Sequence, residues 1–228
     1  MNQNILIFDS SSLISITMSG LLNELKKLKK NFPGKFIIPE EVKFEIINRP
    51  LEIKKFELEA LKLNQLLKEG ILEMPESIGI NSKEISNETK RLLEIANTTF
   101  FENKEKGIHL IDLGETACLA LSKTLTKKGI KNLVVIDERT TRLLSEKPEN
   151  LKKLLIKKIH TPILMKKENL DNFSKIKMVR SAELMFLAYK KGLMELKDKK
   201  TLDAVLYALK FKGCGISGKE IESLKRMS

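Results

Sequence analysis

Short runs of consecutive apolar residues alternate along this chain with longer stretches whose apolar positions recur at helical spacing. That is the pattern of strands buried on both faces joined by amphipathic helices. NILIF (4–8) predicts a buried strand, and SLISITMSGLLNELKKLKK (12–30) predicts a helix, with Pro33-Gly34 ending the segment. KFIIP (35–39) predicts a second strand closed by its proline. EEVKFEIINRP (40–50) predicts a short helix with Val42, Phe44, Ile46 and Ile47 apolar and Pro50 as its stop. A strongly helical stretch over 52–70 ends at Gly70, and ILEM (71–74) predicts a short strand. Further on, the spacing predicts helices over 82–106 and 114–129, a buried strand at NLVVID (132–137) and a helix starting at ERTTRLLSE. A last strand is expected near Ile159–Leu164, then helices over 179–191 and 199–211.

Strands alternating with helices predict an α/β protein: a three-layer α/β/α arrangement around a central, mainly parallel sheet. The expected domain covers 1–165, followed by a helical extension over 166–228. In such sheets ligands sit outside the carboxyl ends of the strands. Two acids fall there at once, Asp9 after the first strand and Asp137 after the most apolar later one.

Composition adds two constraints. At 42% hydrophobic and 32% charged, the 228 residues can bury a sizeable core, which excludes a disordered chain. Two cysteines (Cys118, Cys214) and two histidines (His109, His160) offer neither a disulfide framework nor the usual zinc site, so a reducing compartment is expected. With no basic-then-apolar leader and no apolar run long enough for a bilayer, the expected location is cytoplasmic, without a membrane partner.

The charge is unevenly placed. Residues 151–228 hold 19 lysines and arginines against 8 acids, while residues 1–150 hold 23 against 22. A nearly neutral body with a basic tail points to a polyanion partner, nucleic acid first and an acidic membrane surface second; a lysine-rich surface with no such partner is the plainer reading. Aromatics make up 5% of the chain and form no stacking platform of the single-strand-binding kind.

Each strand-end acid has an ordinary explanation. Asp9 and Ser10 to Ser12 can cap a helix, and Asp137 also precedes one. Glu40 and Glu41 suit the first turn of their helix, but Glu45, late in the same helix, gains nothing from its dipole. Glu45 therefore faces either solvent or the carboxyl edge of the sheet. Asp112-Leu113-Gly114-Glu115 has the spacing of a capping box, which leaves Glu115 free to turn inward toward a cation.

FDSSSLI, IPEEVKFEI, LGETACLALS and LVVIDERTTRLL come in an order that resembles PIN-domain proteins, over about residues 4–145. The resemblance implies a PIN-like fold and a metal-dependent nuclease acting on RNA, in which Asp9, Glu45, Glu115 and Asp137 form an acidic pocket for Mg²⁺ or Mn²⁺. Ser11 is then a hydrogen-bonding partner behind the ligands, and Arg139 and Arg142 match the family's basic flank for nucleic acid. A homodimer or an antitoxin partner is a further expectation, because toxins of toxin–antitoxin pairs and RNA-processing enzymes both occur in the family. The looser match of residues 188–217 is to an extension of some PIN-like proteins. Two positions depart from the pattern: Ile136 stands where a small hydroxyl residue is common, and Glu138 where a second Asp is common.

Crowded carboxylates repel and raise one another's pKa, and a hard divalent cation with oxygen ligands relieves that repulsion. Such an ion can polarise a phosphate and acidify a water. The alternative is a PIN fold that binds nucleic acid without cutting it. An aspartyl-phosphate protein is disfavoured, since paired acids are missing at the end of the first strand. GCGISG (213–218) imitates a dinucleotide fingerprint but follows a helical run rather than a strand; Gly213 reads instead as a helix end and Ser217 to Glu220 as a capping box. Cys118 reads as core.

Overall fold

The computed structural model describes residues 4–102 and 106–228. Four parallel strands form the main sheet: β1 (Asn4–Phe8), β2 (Gly34–Ile37), β5 (Asn132–Val135) and β7 (Met178–Val179), in the order β2-β1-β5-β7. A second, antiparallel sheet joins β3 (Phe100–Glu102), β4 (Lys106–Gly107) and β6 (Ile163–Met165) in the order β4-β3-β6. Ile5, Leu6, Ile7 and Phe8 are all buried. Successive strand residues point to opposite faces, so β1 is covered on both. This is an α/β protein with a parallel sheet, compatible with the three-layer expectation.

The helices are α1 (Ser10–Met18), α2 (Leu22–Asn31), α3 (Glu40–Lys43), α4 (Arg49–Leu51), α5 (Glu57–Lys68), α6 (Ser82–Thr99), α7 (Leu113–Lys127), α8 (Arg139–Glu146), α9 (Pro148–Ile159), α10 (Ser181–Lys190), α11 (Thr201–Phe211) and α12 (Gly218–Arg226). α7 lies against β1 and β5 and packs on α6, whereas α1 contacts α5 and α10. Phe8 and Phe36 sit 5.0 Å apart across β1 and β2, both fully buried, and anchor the core beneath the first two strand ends.

Several boundaries differ from the sequence expectation for local reasons. The helix expected over 12–30 is two helices, because Gly20 takes φ +73° and turns the chain between them. The helix expected over 40–50 runs through a wide π turn at Phe44–Asn48 into α4. Pro50 has no N–H for the ordinary ladder, and in the wide turn Arg49 donates five residues back to Phe44 instead. The strand expected at 71–74 is reduced to one bridge, with Glu73 N donating to Phe36 O at 2.8 Å and Ile38 N to Glu73 O at 3.0 Å. The helix expected over 82–106 ends at Thr99 and continues as β3; its expected residues 103–105 lie outside the described residues.

The strand expected near 159–164 is β6, and it belongs to the small sheet. The fourth parallel strand, β7, comes instead from KIKMVR, where only two residues pair. The segment 166–228 therefore supplies an edge strand of the main sheet, and its buried residues Met185, Leu206 and Ile221 join one continuous core with β1 and β5. Among the described residues no helix is long and apolar enough to cross a membrane.

Replacing Phe36 by Ala removes a fully buried ring from beneath the site edge, with an expected loss of about 3–5 kcal/mol in unfolding free energy. Urea titration followed by circular dichroism reads it. A loss below about 1 kcal/mol would mean that β2 does not anchor this core.

Candidate functional site

Parallel strands end on one side of a sheet, so the residues after β1, β5 and β7 meet at a common edge. Asp9, Asp137 and Arg180 stand there, all buried. Asp9 caps α1: its Oδ2 accepts from Ser11 N at 2.9 Å and from Ser11 Oγ at 2.5 Å. Its other oxygen, Oδ1, is buried and has no hydrogen-bond partner among the described residues. Desolvation is the main reason its pKa rises to about 6, and the charge of Glu45 adds to it against the pull of the Ser11 hydrogen bonds.

Glu45 reaches this edge from the π turn. Its Oε1 accepts from Gly114 N at 3.0 Å, and its Oε2 accepts from Ser10 Oγ. The contact depends on glycine: a Cβ at position 114 would lie 2.7 Å from the Glu45 carboxyl carbon. In the first turn of α7, Glu115 closes the capping box through Asp112 N (3.3 Å) and accepts from Thr141 Oγ1 at 2.7 Å, both on Oε2. Its pKa rises to about 8, mainly through burial, with the charges of Asp9 and Glu138 contributing and the Thr141 bond opposing.

Asp137 is placed differently. Its Oδ1 accepts from Ser181 N at 2.7 Å and its Oδ2 from Ser181 Oγ at 2.6 Å, so the carboxylate serves the first turn of α10. Ser11 links the two strand ends, its Oγ accepting from Asp137 N at 3.1 Å while donating to Asp9. Asp9, Glu45 and Glu115 are thus electrostatic neighbours, whereas the Asp137 carboxylate is turned to Ser181.

Among the described residues no group of three or more His, Cys, Asp or Glu side chains is arranged to hold one metal ion. The donor chemistry nevertheless suits a hard cation. All the donors are carboxylate oxygens, Asp9 Oδ1 is buried and unmatched, and two pKa values raised mainly by burial, with repulsion adding, mark a cost that a positive charge would relieve.

The basic flank lies on α8. Arg139 is exposed, and Arg142 sits 3.5 Å from Glu146 with its Nε buried and unpartnered among the described residues. Cys118 is core, its thiol donating to Phe8 O at 3.5 Å. Sequence reasoning missed Thr141 and Ser181 and saw Ser10 only as a candidate cap. Ser10 and Thr141 hold the carboxylates of Glu45 and Glu115 through pairings of remote segments, and Ser181 follows a strand too short to leave a pattern. Gly114 had a local signal, because a glycine in the first turn of a helix needs a reason.

Comparison of the chain with protein-family models, with curated proteins and with solved structures finds no match.

The two raised carboxyls give stability a defined pH dependence. Their reference values are 3.8 and 4.5, and in the folded chain they lie at about 6 and about 8. The folded state therefore binds more protons across that window. Its stability falls as pH rises from about 4 toward about 8, and the penalty is absent below the reference values. Calorimetry of chelator-treated protein should show wild type losing more stability over this range than Glu115→Gln, which keeps Asp9 but carries no titrating group at position 115. Parallel profiles would contradict the assignment.

Proposed function

We propose that this protein is a PIN-type, Mg²⁺- or Mn²⁺-dependent endoribonuclease, hydrolysing RNA phosphodiester bonds at the carboxyl edge of its sheet. Its setting is RNA processing or the toxin role of a toxin–antitoxin pair. Asp9 carries this reading: a buried carboxylate at the end of a parallel strand, with one oxygen unmatched and two further carboxylates close enough to be felt. The sequence order of the four acidic motifs supports it independently.

In this reading Asp9 Oδ1 would be the open ligand of the cation, with Glu45 and Glu115 beside it, while the Asp137 carboxylate, bonded to Ser181, would steady the edge from behind. The ion supplies polarisation of the scissile phosphate and acidification of a water. The chain itself supplies the rest. Ser11 fixes the orientation of Asp9 and ties it to the backbone of Asp137. Glu115, with a pKa of about 8, carries a proton at neutral pH before a cation binds. Its Oε2 is occupied by Thr141 and Asp112, so Oε1 is the oxygen left to face the cation, and the proton leaves as the ion binds.

A second reading, nucleic-acid binding without cleavage, is favoured by one observation: both Asp137 oxygens are already bonded to Ser181. Incubation with single-stranded RNA and Mn²⁺, with and without chelator, separates the two. Cleavage that disappears with chelator and falls at least ~100-fold in Asp9→Asn, more than loss of an outer partner usually costs, is the expected result. Salt-sensitive binding with no cleavage by wild type would leave the second reading.

A further inference from the structure

A cleft of about 640 Å³ opens between α8, the start of α9 and the turn that follows α11. Its walls carry Arg139, Arg142, Lys147 and Lys210. The turn is fixed in place. Gly215 N donates to Asp137 O at 3.0 Å and Gly215 O accepts from Arg180 Nη1 at 3.1 Å, so both strand ends hold it. A Cβ at position 215 would lie 2.7 Å from Asp137 O, which makes this close seating a glycine property.

The charges in the cleft do not cancel. Arg180 is committed to Glu183 and Glu220, and Glu220 is further tied to Ser217 N and Oγ at 2.9 and 2.6 Å. Glu220 already occupies the N-terminus of α12, so that helix end contributes no free anion site. What remains is one acid, Glu146, loosely paired with Arg142 at 3.5 Å. Arg139, Lys147 and Lys210 have no carboxylate within 4.0 Å among the described residues, and Arg142 Nε is buried without a partner. Lys210 Nζ stands 5.5 Å from the Tyr207 ring.

We propose that this cleft, formed jointly by α8 and the C-terminal segment, seats the phosphodiester backbone of a single-stranded RNA next to the acidic edge. The inference rests on the nuclease reading for the identity of its ligand. Geometry argues for a strand rather than a lone phosphate. Positions 139 to 147 extend over about 12 Å of helix, farther than one phosphate reaches. They run from the residues after Asp137 outward along α8. The same helix turns Thr141 to Glu115 on its other side, so it is the wall shared by cleft and carboxylates.

The test is fluorescence anisotropy of a short labelled single-stranded RNA in chelator, across about 50 to 200 mM KCl. Wild type is compared with Lys147→Gln/Lys210→Gln and with a control that loses the same charge on α5, Lys62→Gln/Lys68→Gln. The cleft variant should bind at least fivefold more weakly and its salt slope should shallow by about 1.4, roughly 0.7 for each phosphate no longer neutralised. The control should stay within twofold of wild type. Equal losses in both variants, no RNA binding by wild type, or displacement of the RNA by a 5′-mononucleotide as readily as by unlabelled RNA would each overturn the proposal. Cleft-dependent binding without Mn²⁺-dependent cutting would defeat the nuclease reading alone. Cutting with no cleft dependence would defeat this inference alone.

Discussion

Asp9 is taken out of water by a strand that has no exposed face, and its surroundings offset that cost only in part. One oxygen receives two hydrogen bonds from Ser11, while the other receives none. A buried carboxylate left half-matched either holds its proton or waits for a positive charge. The neighbouring acids sharpen this choice, because each raises the cost of ionising the next. The chemistry proposed for this protein rests on that imbalance, and the rest of the edge serves to hold Asp9 where it is.

Three backbone devices bring remote segments to the same place. The π turn at Phe44–Asn48 accommodates Pro50 and delivers Glu45 to the edge. Gly114 lets the Glu45 carboxylate reach a main-chain N–H at the start of α7. Gly215 lets the C-terminal turn rest on the carbonyl of Asp137. None of the three is an apolar contact, yet each depends on the buried sheet beneath it for its position. Structures of this kind concentrate backbone exceptions where side chains with costly environments must meet.

The sheet's first strands and α7 were legible in the sequence because apolar periodicity is a local property, and NILIF, KFI and NLVV have no other reading. Strand ends then located Asp9 and Asp137. Partnership was not legible. Asp137 looks from sequence like an equal member of the acidic set, but Ser181 claims both its oxygens from 44 residues away. β7 escaped because two paired residues leave no alternation to detect, and the sheet to which β6 belongs was not legible because pairing partners are not encoded in a strand's own pattern. Gly20 and Pro50 carried visible signals whose outcome, a break in one case and a wide turn in the other, was settled by the surrounding packing.

The two residues of β7 have a consequence beyond the site. They cover the open edge of β5, and the turn after α11 seals the same corner through Gly215. The C-terminal stretch is thus no detachable module, although its composition makes it look like one. A chain that lost it would present the unpaired main-chain groups of β5 to other molecules, inviting edge-to-edge association.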